Sequence, residues 1–531
     1  MKRLGTITLM GGAIVLAMLV PAGASATTFC VPAFHAACTD DGENVSEPDL
    51  ETAINTNSSD RVDDKVYLAP GDYTESDPLT RTGGGDVVRI YGEGSTLTST
   101  STEDSFVIDV SGTDNAVVIK GLKVIIPSSF PDGAGGGIKS TFSEFDGVDI
   151  ESHNPGSTGF VPVGFSNYSH ARMYGVDGGD FTYGVRAIAD GGTNNDLMGI
   201  VGATIEDAEY AVASESNFVE PIVQESFLEP RRYGIWLPHG ASVDLVNSVI
   251  EAGSEEAIYA LGGTEYGQRV LLENSTIVNK GRQARPAMHL EVPADGTADM
   301  YAPIMDSIIW GFETPYVRLA PKGGKKGNVG LMVQNTDLNL DGVVSKGDGY
   351  LEFPGGNEYF DPRFVNEAAG DYRLRPDSPS IDHWYGPVQE YTDILGNPRP
   401  VDGDGNGTKI LDQGAYEFQR APDRKRPQIT KVELKNGRKK SLGIRYSLSE
   451  RAKVRFRFTT TIKTRKGKRK RVSFTRVQKG QPGFNSYRVG SKWLKQNHYR
   501  LLITATDYAG NESRPRFTSN QFGVSRFTVT V

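Results

Sequence analysis

His289 and Glu291 stand two residues apart in a stretch that alternates apolar and polar side chains, so both leave the same face of one β-strand. An imidazole and a carboxylate so placed are the nearest thing in this chain to an acid/base pair, although strand alternation alone also produces such pairs. A stripe runs beside them. With Val185, Val212, Ile235, Ile258, Met288 and Val317 taken as inward, the next residues, Arg186, Ala213, Trp236, Tyr259, His289 and Arg318, point outward. Aromatic faces stack on the apolar faces of sugar rings and arginines pair with uronate or sulfate groups. Arg186, Trp236, Tyr259, His289 and Arg318 are therefore the expected ligand-binding residues for a polysaccharide. The competing reading has the same rings packed under a loop, from the long coil after Gly262 or from the segment that closes the repeats.

The elements that must position this stripe repeat. Tyr183-Gly-Val-Arg, Tyr210-Ala-Val-Ala, Tyr233-Gly-Ile-Trp, Glu256-Ala-Ile-Tyr, Pro286-Ala-Met-His and Pro315-Tyr-Val-Arg recur between residues 183 and 318. A second phrase is interleaved with them: Glu225-Ser-Phe-Leu, Asn247-Ser-Val-Ile, Asn274-Ser-Thr-Ile and Asp306-Ser-Ile-Ile. Each unit holds short alternating stretches between turn residues, which predicts stacked coils of short strands in a right-handed parallel β-helix. Equivalent residues of successive coils would lie about 4.8 Å apart, so an outward column becomes an extended surface suited to a polymer.

Two further columns carry charge. Glu209, Arg232, Glu255 and Arg285 alternate in sign up the stack and are expected to neutralise one another and fix register. Glu206, Glu229 and Glu251 form a like-charge column that could attract a cation or splay into solvent. Asp337, Asn339, Asp341 and Asp348 have the spacing of a calcium loop with Gly342 at its sharp turn, but no amphipathic helix follows, and a hydrated turn fits as well. Asp402-Gly-Asp-Gly-Asn-Gly407, with Asp412 after it, either holds an ion or makes turns. No cofactor is expected unless calcium binds.

Composition sets compartment and partition. The 531 residues hold 62 Gly and only 9 Met, a turn-rich, strand-rich profile. Lys2 and Arg3, the apolar run Ile7 to Val20 and Ala24-Ser25-Ala26 read as an export signal over residues 1–26. No later stretch is long enough to span a membrane, so a soluble, secreted or surface-associated protein is expected. Cys30 and Cys38, the only cysteines, should pair outside the cytoplasm. From Arg420 onward the chain carries 30 Lys and Arg against 5 Asp and Glu, whereas the rest is net −34. That switch marks a linker at 419–427 and a second domain over 428–531, whose seven short strands, the last from Ser525 to Val531, predict an immunoglobulin-like sandwich. Lys463, Arg465, Lys466, Lys468, Arg469, Lys470 and Arg471 crowd a hairpin tip that could grip an anionic envelope polymer, an acidic glycan or the acidic solenoid, or could be a solvated guard against edge aggregation. Nucleic acid is not expected, since aromatic residues are not interleaved there.

Three stretches carry a resemblance. Asp64-Lys-Val-Tyr-Leu-Ala-Pro-Gly-Asp-Tyr-Thr74 resembles the opening coil of secreted bacterial β-helix proteins of the pectate-lyase-like superfamily. Tyr359-Phe-Asp-Pro-Arg-Phe-Val, Asp371 to Asp382, Asp393 to Pro400 and Asp412-Gln-Gly-Ala-Tyr-Glu417 resemble the closing segment of "choice-of-anchor" β-helix proteins. Thr504 to Ser513 resembles a strand and turn of bacterial Ig-like modules. The resemblance implies an N-terminal cap at 27–62, a parallel β-helix at 63–356 and a closing segment at 357–418. It implies no activity, because that superfamily holds lyases, hydrolases, epimerases and adhesins. The paired-aspartate and Gly-His-Gly set of polygalacturonases and the Arg-x-Pro-x-x-Arg of common pectate lyases are not found. The expectation is thus a monomeric all-β protein that binds an acidic polysaccharide or envelope polymer without cleaving it, the alternative being a polysaccharide lyase or glycoside hydrolase working along the outer face.

Overall fold

The computed structural model describes residues 26–521 apart from 40, 42, 57–62, 83–86, 113–116, 189–195, 264–266, 282–284, 295, 321–326, 384–390, 421–425, 438–440, 450–451, 465–466, 481, 490–497 and 507–511. The expected export signal up to residue 25, Arg465, Lys466 and the expected strand Ser525 to Val531 lie outside the described residues. Short parallel strands stack into a 22-stranded and an 11-stranded sheet that wind together as a β-solenoid. Val185, Val212, Ile235, Ile258 and Met288 lie in register up the 11-stranded sheet and are fully buried, as their spacing predicts.

The second phrase makes the turns that let the chain stack. Glu225, Asn247, Asn274 and Asp306 adopt φ of 51°, 49°, 46° and 51°, the left-handed region that short polar side chains tolerate best. The serine that follows each serves the coil beside it: the amides of Ser226, Ser248 and Ser275 donate to the hydroxyls of Ser248, Ser275 and Ser307, each at 3.1 Å. Those hydroxyls donate in turn to Val246, Glu273 and Met305 two residues back. Buried amides that the turn would otherwise orphan are thereby satisfied, coil after coil. The anchors Leu228, Ile250, Ile277 and Ile309 then enter the core.

At the N-terminal end, the strand Thr28–Val31 stacks in parallel on Asp64–Leu68, and the helix Leu50–Asn55 buries Leu50, Ala53 and Ile54 against the first coils. Cys30 and Cys38 are joined as a disulfide. Past Glu358, which bridges in parallel to Asp337, the closing segment does not extend the stack. It packs Phe364, Tyr372, Leu374, Ala415 and Tyr416 back onto Val249, Val278 and Ile308 of the solenoid flank. Arg399 and Glu417, both 0% exposed, pair at 3.2 Å beneath it, and Arg399 also donates to Asn247 and to the carbonyl of Gly414.

Beyond residue 428 the chain forms two antiparallel sheets around a separate core. Ile429–Gly437, Ser441–Leu448 and Gly483–Val489 make one; Arg469–Gly480, Ala452–Lys463, His498–Thr506 and Arg516–Gln521 make the other, in that spatial order. Ile444, Tyr446, Val454, Phe456, Phe458 and Ile503 fill the space between them as a small β-sandwich. Among the described residues no helix is long and apolar enough to cross a membrane.

Candidate functional site

The outward face of the 11-stranded sheet holds more rings than the stripe alone. Tyr183, Tyr210 and Tyr233 stack in register, with centroids 5.1 and 5.4 Å apart and planes 19° and 1° from parallel. Rings stacked face to face consume their own faces and offer only edges and hydroxyls outward. The stripe residues behave differently. Trp236 leans on Tyr210 at 46°, Tyr259 meets Tyr233 at 68°, and His289 tilts 50° against Tyr259 at 5.2 Å. All three are half-buried, and they break out of the stack on three consecutive coils. The tyrosine column was readable as the repeated first letter of the phrase, but ring-to-ring packing is not a property that strand alternation reveals.

The cationic part of the stripe is corrected. Coil pairing slips by one at Pro315: Met288 lies opposite Tyr316 and His289 opposite Val317, which puts Arg318 beside Leu290. Tyr316 is fully buried and Arg318 only 5% exposed, so Arg318 points inward. Its guanidinium donates to Ser345, to the Val329 carbonyl and to the Asp348 carbonyl, and burial holds its pKa below the usual arginine range. Two adjacent apolar residues, Tyr316 and Val317, made either choice of inward residue possible; the larger ring took the core. Arg186 does lie on the face, but it pairs with Glu215 at 2.7 Å and sits 4.9 Å over Tyr183.

The charge column behaves as its alternation predicts. Arg232 pairs with Glu209 at 3.4 Å and Arg285 with Glu255 at 3.1 Å. Arg232 also lies 5.6 Å from both Tyr210 and Tyr233. In the like-charge column, Glu206 pairs with Arg172, and Glu251 is covered by Lys280 and by the Tyr372 hydroxyl at 2.6 Å; Glu229 alone is solvated.

His289 sits between two carboxylates. Its Nε2 lies 3.1 Å from Glu291 and its Nδ1 3.8 Å from Glu256, whose side chain is only 7% exposed. The Glu256 carboxylate, opposed by burial and helped by Glu291, raises the imidazole pKa. Burial pushes Glu256 upward, but His289, its own backbone amide and Arg285 outweigh it and hold the carboxyl below its ordinary value. The arrangement sets one imidazole between two carboxylates, residue types that can exchange protons with a bound ligand. Glu256 was missed in the sequence because it occupies the Tyr233 position of the next coil, where the phrase predicted a ring.

The expected calcium loop at residues 337–348 is one coil of the solenoid. Asp337 is fully buried, accepts from the Phe360 amide and has its pKa pushed to about 7, chiefly by burial. Asn339 donates to the Glu313 carbonyl, a short 3-10 turn spans Leu340–Gly342, and Val344–Lys346 stacks as a strand on Tyr316–Leu319. Asp337, Asp341 and Asp348 do not come together. Among the described residues three carboxylates that do are Asp382, Asp402 and Asp404, with ligand atoms within 4.8 Å. Their oxygens already accept amides: Asp382 from Gly403 and Asp404, Asp402 from Gly407, Asp404 from Asn406. Those bonds tie the carboxylates into the local turns, while Asp402 Oδ1 is buried with no hydrogen-bond partner among the described residues.

No family model matches the chain, and no curated protein matches it either.

Proposed function

We propose that this is a secreted or cell-surface polysaccharide-binding protein of the pectate-lyase-like β-helix type. In this reading residues 357–418 are a choice-of-anchor closing segment and the C-terminal sandwich is Ig-like. The observation that carries the reading is the run of Trp236, Tyr259 and His289, tilted out of the tyrosine stack on three consecutive coils, where ring faces meet sugar rings along a line. Selectivity for acidic sugars does not come from this face, because Arg186 and Arg232 are already paired. The mature chain, incubated with acidic and neutral polysaccharides, tests the proposal. Retention without new chain ends supports it, and unchanged retention on the neutral polysaccharides in a Trp236→Ala/Tyr259→Ala double variant refutes it.

A second reading rests on His289 between Glu256 and Glu291. A protonated imidazole beside a carboxylate can protonate a glycosidic oxygen while Glu291 takes a proton from water or from a sugar carbon. New reducing ends would indicate hydrolysis and unsaturated ends elimination. Their loss in His289→Gln with retention intact would assign the chemistry to this residue.

A further inference from the structure

The strongest concentration of charge lies on the C-terminal sandwich, and the structure extends it well past the hairpin tip. Ala452–Lys463 and Arg469–Gly480 are paired antiparallel along twelve residues each. Odd-numbered residues of both face away from the sandwich core while Val454, Phe456 and Phe458 fill it. Eight cations emerge on that outer face: Lys453, Arg455, Arg457, Lys463, Arg469, Arg471 and Lys479, with Arg500 from the neighbouring strand opposite Thr459. None of the four strands of this sheet contains an Asp or Glu. Among the described residues no carboxylate lies within ion-pairing distance of Arg455, Arg457, Arg469 or Arg471.

Guarding a sheet edge does not account for this array. Lysines protect edge strands, and Arg469–Gly480 is such an edge, but Ala452–Lys463 and His498–Thr506 are interior strands of the sheet. The pairing is also unfavourable in itself. Lys453 lies directly opposite Lys479, and Lys463 directly opposite Arg469, where like charges repel at close range. A face that costs the hairpin stability and reaches from the edge strand onto interior strands has its use in what it binds.

We infer that the outer face of this four-stranded sheet is a docking surface for an anionic polysaccharide, a chain bearing carboxylate or sulfate groups at regular spacing. Lys453 to Lys463 spans about 34 Å with outward side chains about 6.8 Å apart, a linear array suited to a linear polyanion. Thr459, Thr461, Ser473 and Thr475 stand between the cations and offer hydroxyls to sugar hydroxyls. Single-stranded nucleic acid fits less well, since the outward positions of Ala452–Lys463 and Arg469–Gly480, which carry most of the cations, include no ring on which a base would stack. The acidic solenoid of a second copy fits less well too, because many of its outward carboxylates, including Glu206, Glu215, Glu220 and Glu255, are already ion-paired.

This inference is independent of the solenoid-face reading, and one experiment separates them. The mature chain is titrated with polygalacturonate, a neutral glucan and a single-stranded DNA oligonucleotide, and its own association is followed by sedimentation. Each measurement is made with Lys453→Ser/Arg455→Ser/Arg457→Ser, with Trp236→Ala/Tyr259→Ala and with the parent. The inference expects the sheet variant to bind polygalacturonate about tenfold or more weakly while melting no lower than the parent. Binding should weaken as salt rises from about 0.05 to 0.5 M in the parent and depend far less on salt in the sheet variant. The tryptophan–tyrosine variant should keep that salt dependence. Equal polygalacturonate affinity in the sheet variant and the parent overturns the inference, as do tighter binding of the oligonucleotide than of polygalacturonate and salt-sensitive self-association abolished by the triple substitution.

Discussion

At the scale of single residues, exposure of a ring face separates binding side chains from structural ones. Trp236 and Tyr259 are half-buried and tilted against their neighbouring rings, so truncating either to alanine should weaken retention on a neutral polysaccharide about 10- to 30-fold, read by affinity electrophoresis, with little change in melting. Arg318→Ala should do the reverse. It leaves the buried Val329 carbonyl without its guanidinium donor and removes a second bond to the half-buried Asp348 carbonyl, costing about 1–3 kcal/mol in stability, while retention stays as in the parent. A retention defect in Arg318→Ala would contradict the inward register. The stripe was legible as far as His289 because apolar and polar residues alternate cleanly there. Its end was not legible, because Tyr316 and Val317 are both apolar and a slip of one residue exchanges the faces. The hinge of the acid/base cluster, Glu256, was visible as a letter but not as a partner, since contact between coils depends on which residues stack, not on which are adjacent.

Among the elements, the turns rather than the charge ladders hold the coils in register. Arg232 and Glu209 are each 40% exposed, so their pairing is worth roughly 0–1 kcal/mol. A serine hydroxyl that satisfies a buried amide matters more. Ser248→Ala removes the acceptor of the Ser226 amide and should lower stability by about 1–3 kcal/mol, measured as a shift of the solenoid transition in denaturant, whereas Glu209→Gln should shift it by less than about 1 kcal/mol. Equal effects would mean that the charge column carries register after all. The repeated serine was quoted from the sequence without its reason; only the left-handed residue before it and the neighbouring coil after it show why it recurs. Strand boundaries in the sandwich were largely legible, as in Ser441–Leu448, because turns punctuate them. The strand Arg516–Gln521 was overlooked beneath a stretch with few apolar residues.

For the molecule as a whole, burial of carboxylates sets the response to pH. Burial, against its Arg269 partner, raises Asp244 to about 6; burial, against the Asn335 hydrogen bond, raises Asp306 to about 6; Asp337 reaches about 7. Each binds its proton more tightly in the folded chain than in the unfolded one, so its contribution is complete below about pH 4 and is lost as pH rises through 6 to 7. His289, raised by its carboxylate neighbours, adds to the same trend. Glu151 opposes it only at low pH: burial raises it, but hydrogen bonds from His153, Lys123 and Tyr174 hold it near 2, so its contribution is lost as pH falls toward that value. The melting temperature should therefore fall between about pH 5 and pH 8 at constant ionic strength; calorimetry showing a rise across that interval would contradict this account.

The closing segment carries a mechanical consequence. Polypeptide leaving residue 418 does not start from the last coil, because the segment before it is fastened to the flank: Ala415 to Thr276, Tyr372 to Glu251, Arg399 to Asn247. A pull on the C-terminal sandwich would thus enter the solenoid through its side, loading several of these attachments together in shear instead of peeling coils from the end one at a time. A protein tethered to a polymer at one domain and holding another along its flank would be tensioned across its middle, with the terminal coils left slack.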